Sequence, residues 1–130
     1  MLHAVSGLES HVESRLAVRG LSLAKLAALH QLNLAGESLP LGQLAERLSC
    51  VKSNVTQLVD RLEADGLVTR EPDPNDRRGR LAVMTAEGRA AFEEGTRLHE
   101  AAERELFASL TREETQQLSR IMGKLGTAPP

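Results

Sequence analysis

The sequence predicts a mainly α-helical chain with one short β-hairpin, and three observations predict it. Apolar residues recur at helical spacing over most of the 130 residues. That spacing lapses once, over a stretch rich in proline, aspartate and arginine. Short runs with strand character flank the lapse on both sides.

Leu2, Val5, Leu8 (or Glu9), Val12 and Leu16 mark a first helix that ends near Arg19 and Gly20. Ser22 is placed to cap a second, whose stripe is Leu23, Leu26, Leu29 and Leu32 and which stops before Gly36. Pro40 opens a third at its first turn, where a missing N–H is tolerated, with Leu41, Leu44, Ala45 and Leu48 on one face. Val55, Leu58, Val59 and Leu62 form the stripe of a fourth, and Gly66 is its C-terminal stop. Leu67 to Arg70 reads as a strand and Glu71 to Gly79 as a turn. Arg80 to Met84 reads as the returning strand, with Leu81 and Val83 on its apolar face. Thr85 caps a fifth helix carrying Ala91, Leu98, Ala102 and Leu106. Thr111 and Glu114 have the spacing of a capping box and open a sixth, striped by Leu118, Ile121, Met122 and Leu125. From Gly126 the tail is expected to fray.

Composition excludes several classes of function. The single cysteine forbids an intramolecular disulfide and fits a reducing compartment. No apolar run approaches the ~20 residues that span a bilayer, and no secretory leader is recognisable, so no membrane partner is expected. Two phenylalanines, with no tryptophan or tyrosine, leave little for a base-stacking RNA platform. No nucleophile elbow, phosphate-cradling glycine loop or metal-ligand pair occurs, so neither an enzyme nor a cofactor is expected. A net charge of −2 does not suggest nucleic acid. Yet Arg77, Arg78 and Arg80 cluster beside Gly79, and phosphate binding depends on local clusters of cations.

The third and fourth helices are separated only by Ser49 to Val51, the spacing of a helix-turn-helix. With Val55 and Leu58 turned inward, Lys52, Ser53, Asn54, Thr56, Gln57, Asp60 and Arg61 are left on the outer faces of the fourth helix. Amides and hydroxyls there can donate to and accept from base edges, and the cations can meet phosphates. An arbitrary helix with such a face is usually only solvated. What reverses the balance is the tight turn before it and the arginine-tipped hairpin behind it. That hairpin reads as a wing, with Arg77, Arg78 and Arg80 free to reach the DNA backbone and minor groove. Asp76 is read as holding an arginine in place. The competing reading is a polar turn that serves solubility alone.

From Leu41 to Gly88 the chain resembles the DNA-binding core of the MarR family of bacterial transcriptional regulators. The residues that carry the resemblance are Leu44-Ala45, Val55-Thr56, Leu58 to Glu63, Gly66-Leu67-Val68, Arg70, Asp73 to Arg78, and the Thr85 and Gly88 exit. The resemblance implies a homodimer in which the first, fifth and sixth helices interdigitate. Residues 1–20 and 85–130 would then serve dimerisation, and 21–84 would form a winged helix-turn-helix lobe that binds double-stranded DNA. Asp76 and Arg78 match the family's wing Asp-x-Arg, in which the arginine enters the minor groove. A cytoplasmic regulator, most simply a repressor released by a small-molecule effector, is implied as well. Leu26, His30, Phe92 and Thr96 are the candidate walls of its pocket. Two positions depart from the pattern: Ser49 stands where glycine is common, and Val51 where a capping serine is common.

Other readings stay open beside this one. A winged helix can serve protein interaction without touching DNA. Cys50 suits packing in the turn but also redox sensing. His3, His11, His30 and His99 suit polar surface or a metal-responsive site, although His3 and His11, two turns apart, cannot share one ion.

Overall fold

The computed structural model describes the backbone of residues 2–49 and 52–127 and the side chains of 7–49 and 54–125. The expectations placed on Cys50 and Val51, and on the side chains of Leu2, His3, Val5, Lys52 and Ser53, lie outside what is described. Six helices and three strands follow in the order α1 (Leu2–Ala17), α2 (Leu23–Leu34), β1 (Ser38–Pro40), α3 (Leu41–Leu48), α4 (Lys52–Ala64), β2 (Val68–Asp73), β3 (Asp76–Met84), α5 (Ala86–Phe107) and α6 (Arg112–Thr127).

The predicted caps form. Ser22 Oγ accepts from the Lys25 N–H at 3.1 Å. Thr111 and Glu114 close their capping box with bonds of 2.9 and 3.1 Å. Gly66, at φ 78°, ends α4, and the Leu67 N–H returns to the Leu62 carbonyl. The inward stripes then meet in one core. Leu16, Leu29, Leu32, Leu44, Val55, Val59, Leu62 and Val68 are fully buried in it, each such side chain stabilising by roughly 1.5–3 kcal/mol.

Several expectations are corrected. A third strand, β1, pairs antiparallel with β3 and gives the sheet order β1-β3-β2. Three residues are too few to show alternation, so periodicity could not reveal it. Pro40 is the last residue of β1 and caps α3 with extended backbone (φ −57°, ψ 142°), one position before the helical turn assigned to it. The hairpin strands also run further than predicted, leaving only Pro74 and Asn75 between them. Backbone pairing needs no apolar side chains, and Pro72 is tolerated because β2 lies at the sheet edge, next to an irregularity in register. The buried face of β3 is Ala82 and Met84, while Leu81 and Val83 are half-buried on the other side. Ala82 was the misleading residue: its small side chain signals little in sequence but lies where the sheet meets the helices.

The helix α1 packs along α5, so Val12 and Leu16 are buried within their own chain. An ionic cluster ties the same two helices. Glu105 Oε2 accepts from Arg15 Nη2 at 2.6 Å and meets His11 Nε2 at 3.0 Å. The hydrogen bond from Arg15 is the main reason the Glu105 carboxyl lies below its ordinary pKa. The stripe of α6 differs: Ile121, Met122 and Leu125 are 50%, 59% and 67% exposed.

The hairpin is fastened to α5 at one close approach. Thr85 Oγ1 donates to the Gly66 carbonyl at 2.7 Å and accepts from the Gly88 N–H at 2.9 Å. The Thr85 N–H donates to the Leu67 carbonyl at 3.0 Å. A Cβ on Gly88 would stand 2.0 Å from that carbonyl oxygen, which is backbone and cannot step aside. Gly88→Ala should therefore destabilise the protein by about 2–3 kcal/mol, an overpacking cost without relief. A thermal melt within a degree of wild type would contradict this close approach.

Candidate nucleic-acid interface

The turn between α3 and α4 begins at Ser49, which ends α3 in the left-handed region (φ 55°, ψ 37°). Its N–H closes the helix on the Glu46 carbonyl at 3.1 Å. The departure from glycine noted in the sequence thus falls on a conformation that glycine favours.

In α4 the inward side is Val55, Val59 and Leu62, with Leu58 half-buried. Asn54, Thr56, Gln57, Asp60 and Arg61 are exposed, as the periodicity requires. The hairpin projects Arg77, Arg78 and Arg80 into solvent. Among the described residues, neither these three nor Arg61 takes part in an ion pair. Arg78 and Arg80 line a groove with Gly42, Gln43 and Glu46 at the start of α3.

Asp76 holds Arg78 through the arginine's backbone and not through its side chain. Its Oδ1 accepts the backbone N–H of Arg78 at 3.1 Å, and its side chain packs against Gly79. Among the described residues it pairs with no guanidinium. It shapes the arginine-bearing backbone and leaves the side chains unengaged. Asp73 does the same on the other strand, accepting the Asn75 N–H at 2.9 Å, an Asx turn that closes the hairpin.

Sequence reasoning assigned no role to Arg70 beyond its match to the family pattern. It leaves β2 toward α4, where Nη2 donates to the Asp60 carboxylate at 2.5 Å and to the Thr56 carbonyl at 3.1 Å. Nη1 donates to Glu63 Oε1 at 2.9 Å. The spacing of Asp60, Glu63 and the arginine was in the sequence, but only the fold brings a strand residue beneath the helix.

Leu26, His30, Phe92 and Thr96 line one cleft of about 300 Å³ between α2 and α5. Leu23, Ala27 and His99 complete its walls, and the His30 and Phe92 rings stack with centroids 6.0 Å apart. The added residues could have been found by continuing each helical stripe, since Leu23 precedes Leu26 by three, Ala27 lies four after Leu23 and three before His30, and His99 follows Thr96 by three. His99 also lies 3.4 Å from Glu103, and His11 is held by Glu105. Among the described residues no group of three or more side chains is arranged to hold a metal ion. No helix of the described residues is long and apolar enough to cross a membrane.

A family model described as "MarR family" matches residues 19–79. The HTH-type transcriptional repressor MdtR of Bacillus subtilis is 36% identical over 110 residues, covering 85% of this chain and 70% of the relative. The HTH-type transcriptional regulator MhqR of the same organism is 26% identical over 123 residues, covering 95% and 84%. Among solved structures, a cysteine-to-serine mutant of MarR from E. coli complexed with operator DNA superposes with a TM-score of 0.82 at 28% identity, covering 98% of this chain and 91% of that one. The organohalide-sensing regulator RdhR, bound to 2,4-dichlorophenol, gives 0.83 at 26% identity, covering 95% and 73%.

The strained turn supplies a test. Ser49→Gly removes the left-handed penalty of about 1 kcal/mol, partly offset by the greater freedom of glycine when unfolded. Urea unfolding should show a gain of about 0.5 kcal/mol, and Ser49→Val a loss. A loss for the glycine variant would contradict the left-handed turn.

Proposed function

The chain belongs to the MarR family of transcriptional regulators, and from that premise we propose that it binds a pseudo-palindromic operator as a homodimer, most simply as a repressor in the bacterial cytoplasm. The observation that carries this reading is the pairing of an exposed polar face on α4 with an arginine-bearing hairpin whose cations are unengaged. In this reading residues 21–84 form the DNA-binding lobe, and 1–20 and 85–130 serve dimerisation. Lys52, Ser53, Asn54, Thr56, Gln57 and Arg61 meet the major groove and its phosphates, while Arg77, Arg78 and Arg80 follow the backbone and minor groove. Asp76 sets the path of the wing. The exposed apolar stripe of α6 supports the dimer, because such a surface calls for a partner. A two-fold dimer places its recognition helices in successive major grooves, ~10 bp apart.

The cleft between α2 and α5 supports a small organic effector. Its walls are mostly apolar, with two imidazoles and the Thr96 hydroxyl as polar groups. A molecule that binds better to a dimer geometry unsuited to the operator would release DNA. The scarcity of aromatic side chains favours an amphipathic ligand over one held by stacking.

Selection from random duplexes should enrich an inverted repeat, bound by two subunits in a sedimentation experiment. Arg78→Ala should weaken binding to all sequences alike and reduce the salt slope by about one. Gln57→Ala or Asn54→Ala should instead relax preference at one position per half-site, by about 1–3 kcal/mol. A monomer that enriches no sequence would favour the protein-interaction module. For the cleft, wild type should enhance the fluorescence of anilinonaphthalene sulfonate. Ala27→Trp, which fills the space, should abolish most of that signal and leave operator affinity intact. Equal signals would remove the cleft as the effector site.

A further inference from the structure

We propose that Arg70 is a positioning residue for DNA reading, locking α4 to the wing so that both meet the duplex as one rigid body. This rests on the DNA-binding role proposed above. The residue sits near the root of the wing, opposite Ala82 of β3, and its side chain is only 21% exposed. Its guanidinium reaches a stripe of α4 two turns long: the Thr56 carbonyl, the Asp60 carboxylate and the Glu63 carboxylate, at positions i, i+4 and i+7. Glu63 holds it twice, through Oε1 to the guanidinium and through Oε2 to the Arg70 backbone N–H at 3.1 Å. The strand's backbone and the helix are therefore fixed relative to each other in both rotation and translation.

This arrangement needs the planar fork of arginine. A lysine ammonium is a point charge on a flexible stem and cannot span three acceptors in a fixed geometry. Both terminal nitrogens of Arg70 are occupied by the protein, which separates it from Arg77, Arg78 and Arg80. The clamp also explains a carboxylate on the reading helix. Asp60 is 60% exposed, and a free anion there would repel phosphates. Paired with Arg70, it fixes the angle of the helix instead.

Opposite predictions follow for one surface substitution. If charge alone mattered, Asp60→Ala would tighten DNA binding. The clamp requires it to weaken binding, by about tenfold, the consequence of losing one charge-assisted bond that orients the helix. The test measures operator affinity against salt concentration for wild type, Asp60→Ala, Arg70→Gln, Arg70→Lys and the double variant Asp60→Ala/Arg70→Gln, using the duplex enriched by wild type. Asp60 is exposed and Arg70 keeps Glu63 and the Thr56 carbonyl, so this variant should stay folded, as a thermal melt checks, and separates positioning from loss of fold. Expected are weakened binding for every variant, a salt slope unchanged from wild type, and a double variant little worse than Arg70→Gln alone. Full affinity in Arg70→Lys, a slope reduced in Arg70→Gln, or tighter binding by Asp60→Ala would overturn the proposal and make Arg70 a phosphate contact. A wild type that enriches no duplex would overturn the DNA-binding reading, and this inference with it.

Discussion

The aim of the proposed DNA-binding lobe depends on the contact between the first turn of α5 and the residues that follow α4. Thr85 donates to the Gly66 and Leu67 carbonyls, and Gly88 lies against the Leu67 carbonyl in a space with no room for one methyl group. One helical turn holds both the exit of the hairpin and the start of the longest helix. The direction in which α5 leaves is thus the direction in which the lobe points. A second tie follows at once: Arg89 donates to Asn33 and pairs with Glu37, binding α5 to the end of α2 and the residue before β1. Two successive stretches of α5 are fixed to two different parts of the lobe, so tilting one against the other must break hydrogen bonds.

Residues 41–84 carry seven basic and seven acidic side chains, and the destinations of the acids decide which cations stay unpaired. Asp60 and Glu63 are held by Arg70, and Asp65 by Lys25. Asp73 and Asp76 are turned back onto backbone N–H groups of the hairpin. These five carboxylates build the turn and fasten the helix, Glu46 and Glu71 stay exposed, and Arg61, Arg77, Arg78 and Arg80 are left without counter-ions among the described residues. Net charge sums over groups whose fields are already spent inside the fold, so it understates what an approaching polyanion meets.

The same distinction governs how much was legible in the sequence. Caps and stripes are local, and Ser22, Thr85 and the Thr111 box could be read because their partners lie three residues away. The outer face of α4 was legible for the same reason. β1 was not, since a strand of three residues exists only through its pairing with β3. The inward phase of β3 was misread because Leu81 and Val83 outweigh Ala82 in hydrophobicity, while burial there is set by the space beneath the sheet. The role of Arg70 stayed hidden because its partners are seven to fourteen residues upstream on another element. The four cleft residues were brought together as expected, yet their placement came from family likeness and helical spacing, neither of which encodes a cavity.

Geometry also limits how any molecule in that cleft could act. Along α5 the order is the junction at Gly88, the tie at Arg89, then Phe92, Thr96 and His99 on the cleft wall. On the same face, Gly95 lets α5 approach Leu21 and the cleft residue Leu26 so closely that a Cβ would lie 2.8 Å and 2.9 Å from them. The cleft is therefore bounded by a fastened end and a tight helix crossing. A ligand that enlarged it would strain the Leu26 contact and the bonds of Arg89. Because packed interfaces resist gradual deformation, the lobe should move as a unit about α5 with its reading surface intact. Release of DNA would then come from a changed separation of two intact lobes, which is the property a fixed ~10 bp repeat tests most severely.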